Sequence, residues 1–345
     1  MSPMIWALLI TTLSTSTIIV MSSHHWLLAW IGLELNTLSI LPLIMKSGHP
    51  RATESATKYF LIQATAAALV LFAATMNAWE MGHWHMAAPL TPLTATTISL
   101  AIMLKLGLAP MHAWYPEVLQ GSTFTTALII STWQKLAPLT LLYLMNNQLP
   151  TKILLLVSLT STLIAGWTGL NQTQTRKILA FSSIAHMGWL LAAMSLNPNL
   201  AILTLLIYIM MTTTMFMALN TTTMKTLTDL GTTWTQSPAL TALTILTLFS
   251  LGGLPPLTGF LPKWLILHEL CYNKLVPLAM MLALASLPSL YFYIRMTYLT
   301  VLTIPPNTTN IEHKWRFNSR IVPLLPATMT LTALLLPMAP MLTSI

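Results

Sequence analysis

Four ionisable residues stand where water is least available. Glu34 lies near the centre of the apolar stretch 25 to 45, Lys105 near that of 93 to 119, Lys135 near that of 122 to 144, and Lys263 within 239 to 268, all stretches of Leu, Ile, Ala, Thr and Met. A lysine at the centre of a bilayer costs about 2.5 to 3.5 kcal/mol on insertion scales, so an ionisable group at that depth is by default paired and functional. Desolvation weakens the hold of a buried lysine on its proton and a nearby carboxylate strengthens it, so changing the distance between them alternately loads and unloads the amine. That is the chemistry of proton transfer. The same charges also fit a static ion pair that only fixes helix packing.

Imidazole supplies intermediate stations, because it titrates near neutrality and exchanges protons through either ring nitrogen. His112 follows Pro110, and His186 lies mid-helix in Phe181-Ser-Ser-Ile-Ala-His-Met-Gly-Trp189. Each also fits a hydrogen-bonded structural histidine. His24, His25, His49, His83, His85 and His313 read as loop or interface residues, and His83 with His85 supplies too few ligands for a zinc site. Nothing beyond the pair His112 and His186 favours a haem. The single cysteine, Cys271, excludes disulfide frameworks, cysteine-ligated iron–sulfur clusters and thiolate zinc sites within the chain, so redox chemistry belongs to partners.

The elements that position these residues follow from composition. Only 6% of the 345 residues are charged and 55% are hydrophobic, against roughly 25% charged in a soluble domain. This excludes a soluble enzyme. The net charge of +8 reflects topology rather than nucleic-acid binding, for no basic and aromatic module accompanies it. Hydropathy marks an all-α polytopic membrane protein with about eleven transmembrane helices, near 3 to 21, 25 to 45, 55 to 78, 93 to 119, 122 to 144, 151 to 170, 176 to 195, 199 to 221, 239 to 268, 275 to 299 and 321 to 342. Met1 to Val20 lacks an Arg-rich presequence and reads as a retained first helix of a chain made inside its own compartment.

The two longest spans contain helix breakers: Pro110 and Pro116 in one, Gly252, Gly253, Pro255, Pro256 and Pro262 in the other. Gly107-Leu-Ala-Pro-Met-His-Ala-Trp-Tyr-Pro-Glu117 precedes Gly253-Leu-Pro-Pro-Leu-Thr-Gly-Phe-Leu-Pro-Lys263 by 146 residues, and Gly, Leu, Pro and Pro coincide in register. The match predicts two five-helix repeats, 1–145 and 151–299, each with a broken helix, followed by a C-terminal helix over 321–342, all in one membrane domain. Five is odd, so the second repeat enters from the opposite face, the inverted arrangement of secondary transporters. Loop charges agree with it. Ten basic residues fall on the side of the N-terminus and only Lys152 and Lys274 on the other, with Lys105, Lys135 and Lys263 inside spans.

Five motifs then add a resemblance. Arg51-Ala-Thr-Glu-Ser-Ala-Thr-Lys-Tyr-Phe60, Lys105-Leu-Gly-Leu-Ala-Pro-Met-His-Ala-Trp114, Asn171-Gln-Thr-Gln-Thr-Arg-Lys-Ile178, Ser182-Ser-Ile-Ala-His-Met-Gly-Trp189 and Leu251-Gly-Gly-Leu-Pro-Pro-Leu-Thr-Gly-Phe-Leu-Pro-Lys-Trp264, in this order, resemble the NADH dehydrogenase subunit 2 family. Its members are mitochondrially encoded antiporter-like membrane subunits of respiratory complex I. The resemblance runs from about Met21 to Arg295, and the Thr- and Met-rich composition is similar to the vertebrate type.

It implies a proton-translocating subunit of NADH:ubiquinone reductase with Glu34 and Lys105 as a coupled pair, Lys135 as a bridging lysine, His186 as a central station and Lys263 as a terminal lysine. It further implies that FMN, iron–sulfur clusters and ubiquinone are bound by other subunits and that this chain holds no cofactor. The expected partners are the other membrane subunits of the complex, lipids and protons. The location is the mitochondrial inner membrane, the N-terminus in the matrix and the C-terminus in the intermembrane space.

One prediction is topological. The segment 311 to 320, Ile-Glu-His-Lys-Trp-Arg-Phe-Asn-Ser-Arg, carries three of the ten cations on the N-terminal side, Lys314, Arg316 and Arg320. An impermeant label supplied from the matrix is expected to reach it; labelling only from the intermembrane space contradicts the eleven-span reading.

Overall fold

The computed structural model describes residues 3–302 and 324–338, apart from the side chains of residues 235, 236 and 338. The segment 311 to 320 and both ends of the expected span 321 to 342 lie outside the described residues. Those described are almost entirely helical, with no strand among them beyond two isolated bridges, His25 with His85 and Gln174 with Thr226. Eight helical stretches are long and apolar enough to cross a membrane, and three shorter apolar helices accompany them. Many buried hydroxyls satisfy themselves on the preceding turn, as Ser16 does on the Leu13 carbonyl and Thr214 on that of Met211, which reconciles a Thr-rich sequence with an apolar surrounding.

The chain divides into two compact units, Met1–Thr160 and Ser161–Ile345. The first contains α1 (Pro3–Ser22), α2 (Trp26–Ile44), α3 (Pro50–Met81), α4 (Pro92–Leu106), α5 (Trp114–Gly121), α6 (Phe124–Ser131), α7 (Trp133–Leu144) and the start of α8 (Thr151–Leu170). α3 packs on α2, α4 and α5, while α7 lies against α1, α2 and α4. The starts of these helices are chemically marked: Thr91 caps α4, with Pro92 at its first position. His25 and His49 cap α2 and α3 through ring Nδ1, each accepting a backbone N–H at 3.2 Å. The sequence marks both only as loop or interface residues.

At 32 residues, α3 is roughly 48 Å long at 1.5 Å per residue, well beyond the hydrocarbon thickness of about 30 Å. Its excess length lets its first turns, which carry Arg51, Glu54 and Lys58, stand beyond that layer. There Lys58 donates to Glu54 and to Glu117 of α5, each at 2.6 Å.

The second unit contains α9 (Thr175–Leu196), α10 (Pro198–Thr222), the short α11 (Leu227–Leu230) and α12 (Thr233–Gln236), then α13 (Pro238–Gly252), α14 (Phe260–Tyr272), α15 (Val276–Leu302) and α16 (Leu324–Leu334). α9 is its core helix, for 89% of its most apolar stretch is buried. α10, α14 and α15 pack on it, and α16 lies against α10 and α13.

The predicted breaks are present. α4 and α13 begin at Pro92 and Pro238 and end at Leu106 and Gly252; α5 and α14 begin at Trp114 and Phe260, so each boundary repeats at the 146-residue offset that relates Gly107 to Gly253. The local geometry repeats as well. Gly107 (φ 72°, ψ 39°) and Gly253 (φ 78°, ψ 41°) are both left-handed caps. The N–H groups of Leu108 and Leu254 return to the carbonyls of Met103 and Phe249 at 3.1 and 3.3 Å, the closing bond of a Schellman motif.

One element departs from expectation. The span expected as continuous over 122 to 144 is interrupted at Thr132, between α6 and α7. The Thr132 hydroxyl takes the Leu128 carbonyl at 2.7 Å, and Pro138, inside α7, withholds a donor from the Gln134 carbonyl. Both alter the regular hydrogen-bond ladder around Lys135.

Gly107 gives a test of the break. A side chain at φ 72° is strained, and a Cβ there would meet the Tyr115 Cβ at 3.2 Å. Gly107→Ala is expected to destabilise the first unit by about 1 to 2 kcal/mol, read as a lower melting temperature of the solubilised protein; an unchanged midpoint contradicts a required left-handed cap.

Candidate functional site

In the first unit the helix break brings two lysines together. Lys105 occupies the last turn of α4 and Lys135 the first turn of α7, with 6% and 3% of their surfaces exposed, and both line one cavity of about 20 Å³. A single water needs about 10 to 15 Å³ in this measure, so the space admits one. Tyr59, Gln63, Trp114, Tyr115 and Gln134 also line it. The Lys135 ammonium lies 4.9 Å from the centroid of the Tyr115 ring, a cation–π contact that favours the charged form. Trp114 holds that ring edge-on at 5.5 Å.

Lys105 is compensated differently. Its Nζ is buried without a hydrogen-bond partner among the described residues, and so is Oε2 of Glu34. The two therefore do not form a hydrogen-bonded ion pair, although the Glu34 charge acts on Lys105 across the intervening space. Lys105 also sits at a helix C-terminus, where the last carbonyls carry partial negative charge that favours a cation. Its own carbonyl, freed by the break, accepts the Gln63 amide of α3 at 3.2 Å.

His112 is placed elsewhere. It stands half-buried in the turn between α4 and α5, its Nδ1 3.2 Å from the Pro110 carbonyl oxygen, and it does not line the lysine cavity. Glu34 is not among the lining residues either.

The second unit has its own pair. His186 of α9 and Lys263 of α14 line a second cavity of about 20 Å³ with Trp189, Thr204, Tyr208 and Pro262. The Tyr208 ring lies 5.8 Å from the imidazole. Lys263 Nζ donates to the Gly252 carbonyl at 2.9 Å, so the amine caps the carbonyl that the break in α13 exposes. Gly253 permits this approach, because a Cβ there would stand 2.9 Å from both Cδ and Nζ of Lys263.

The six residues singled out in the sequence thus fall into two cavity pairs, one acid acting from a distance and one turn histidine. The aromatic and amide lining was not foreseen, nor was the ion pairing of Lys58 with Glu54 and Glu117. A composition signal existed only for Glu117, the register partner of Lys263. Among the described residues no group of three or more His, Cys, Asp or Glu is arranged to hold a metal ion, and Cys271 is exposed.

The comparisons with known proteins bear on the family and the fold. The family described as NADH:quinone oxidoreductase/Mrp antiporter, TM, matches residues 23–288, and that described as NADH dehydrogenase subunit 2 C-terminus matches residues 290–343. The chain is 51% identical to NADH-ubiquinone oxidoreductase chain 2 of Xenopus laevis, over 99% of both chains. The chain belongs to the NADH-ubiquinone oxidoreductase chain 2 family. The Salmo salar family member is also 51% identical, over 100% of this chain and 99% of its own. Among solved structures, a chain of respiratory complex I from Thermus thermophilus is similar with a TM-score of 0.81 and 26% identity, covering 96% of this chain and 79% of that one. A chain of the Mrp complex from Dietzia sp. DQ12-45-1b shares the fold at TM-score 0.81 and 14% identity, over 97% and 75% of the two chains. Both breaks and both cavity pairs lie within the part that the antiporter family matches.

The Lys263 contact is testable by structure alone. Gly253→Ala is expected to drive the Lys263 amine off the Gly252 carbonyl, seen as loss of their 2.9 Å contact in a side-chain-resolution map of the variant. A retained contact contradicts the role given to Gly253.

Proposed function

We propose that this chain is the proton-translocating antiporter-like subunit of respiratory complex I in the mitochondrial inner membrane, carrying protons through its buried lysines while other subunits oxidise NADH and reduce ubiquinone. The observation that carries the reading is that each unit buries a lysine beside a helix break, in a cavity shared with a second basic side chain, Lys135 in one and His186 in the other. Permanent structural charges gain nothing from that arrangement. Two bases around room for one water exchange a proton over a short path.

In this reading the chain crosses the membrane eleven times, the short helices α4, α13 and α16 contributing to crossings, and the two five-helix repeats are inverted. The N-terminus faces the matrix and the C-terminus the intermembrane space, as the loop cations suggest. A proton from the matrix loads Lys105, Lys135 accepts it, His186 receives it, and Lys263 releases it toward the intermembrane space. Glu34 couples Lys105 to events elsewhere in the complex through its charge. The turn position of His112 supports a place at the edge of this path rather than between the lysines. Other membrane subunits and lipids cover the outer faces of the spans, and FMN, iron–sulfur clusters and ubiquinone reside in those other subunits.

Lys263 tests the exit step. Arginine keeps the positive charge and does not deprotonate at accessible pH, so Lys263→Arg is expected to assemble into the complex yet lose most of the proton transport per electron attributable to this subunit. Normal transport in the assembled variant favours a scaffold that carries no protons. Glu34→Gln, which removes the charge acting on Lys105, is expected to lower proton transport as well; unchanged transport and turnover assign Glu34 to packing alone.

A further inference from the structure

The first cavity contains more than its two lysines. Tyr59 of α3 donates its hydroxyl to Oε1 of Gln134 at 3.3 Å, and Nε2 of Gln134 donates to Oδ1 of Asn36, on α2, at 3.1 Å. All three residues are buried, with 2%, 9% and 2% of their surfaces exposed, and all three line the cavity beside Lys105 and Lys135. Three helices thus spend buried polar groups on a chain of hydrogen bonds that does not take in the Lys105 amine. Burying an amide in an apolar surrounding costs about 2 to 7 kcal/mol unless it is hydrogen-bonded. Packing alone would be served by leucine.

The direction of the chain is informative. Gln134 is adjacent in sequence to Lys135, and both hydrogen bonds fix its side chain while one N–H of its amide is not used by the bond to Asn36. Lys105, 6% exposed and with no hydrogen-bond partner for its Nζ among the described residues, lines the same space. The volume of about 20 Å³ admits a water, and such a water requires two to four polar partners to be held in one orientation.

We infer that Gln134, fixed by Asn36 and Tyr59, is a positioning residue that orients the proton carrier between Lys105 and Lys135. The inference rests on the reading that those lysines exchange protons. In the transfer, a Lys105 ammonium N–H bond breaks as a water O–H bond forms, and a different O–H bond of the same water breaks as the Lys135 amine gains the proton. No other reactant is needed. Gln134 neither gains nor loses a proton; it limits the rotation of the carrier. Since a misplacement of about 1 Å in such a geometry costs about 10²-fold, loss of the amide is felt in rate before it is felt in stability.

The experiment compares Gln134→Leu, Gln134→Glu and Tyr59→Phe in the assembled complex, reconstituted in liposomes, with Lys105→Arg as the reference for the lysine path. Proton transport driven by NADH is measured in H2O and D2O. Gln134→Leu is expected to slow transport by about tenfold or more and to enlarge the solvent isotope effect, while Gln134→Glu, which keeps the oxygen that Tyr59 addresses, restores part of the rate. Tyr59→Phe, which preserves the ring packing, is expected to shift the isotope effect in the same direction and decides the matter if Gln134→Leu does not assemble. Lost transport in Lys105→Arg with normal transport and isotope effect in Gln134→Leu, or in Tyr59→Phe if that variant stands in for it, overturns the positioning role alone. Normal transport in Lys105→Arg overturns the lysine path itself.

Discussion

The cost of a cation away from water governs this molecule. A lysine inside an apolar bundle needs compensation from fixed dipoles, ring faces or a carboxylate, and the chain supplies all three; among the described residues none forms an ion pair with Lys105 or Lys263. Lys105 has the C-terminal end of α4 and the remote charge of Glu34; Lys135 has the face of Tyr115; Lys263 has the Gly252 carbonyl. Such compensation is partial. A tight buried pair would fix the proton, whereas dipoles and rings leave ammonium and amine close enough in energy for one to replace the other.

The helix breaks are the means. An unbroken helix conceals its carbonyls in its own ladder and offers a cation nothing at mid-membrane. Ending α4 and α13 with left-handed glycines exposes the negative ends of two helices at depth and directs the next residues into a turn. The freed carbonyls then find different partners. The Gln63 amide serves the first unit and Lys263 the second, so similar backbones carry different chemistry. This is the structural counterpart of a register in which Lys263 stands opposite Glu117.

The breaks were legible in the sequence because Gly and Pro act locally: a left-handed cap, a missing donor and a repeated start at proline depend on neighbours in the chain. The buried lysines were legible for the same reason, as charges in apolar text. Their surroundings were not. Tyr115, Gln134, Asn36 and Tyr59 come from four helices and meet only through packing, and a tyrosine or glutamine in a membrane helix carries no mark of what it faces. The interruption at Thr132 was hidden too, since its sequence signal, Pro138, lies six residues further along. Assigning His112 to the proton path followed its place after Pro110, but sequence proximity to Lys105 did not become spatial membership of the cavity.

The central claim is that buried lysines of this chain alternate between ammonium and amine while the complex turns over. Infrared difference spectroscopy of the assembled complex, with and without ¹⁵N-labelled lysine, reads that change directly. The account predicts lysine N–H bands that shift with the isotope, appear on addition of NADH and quinone, and diminish when Lys105 is replaced by arginine. Turnover with no lysine-dependent band in the difference spectrum would contradict it.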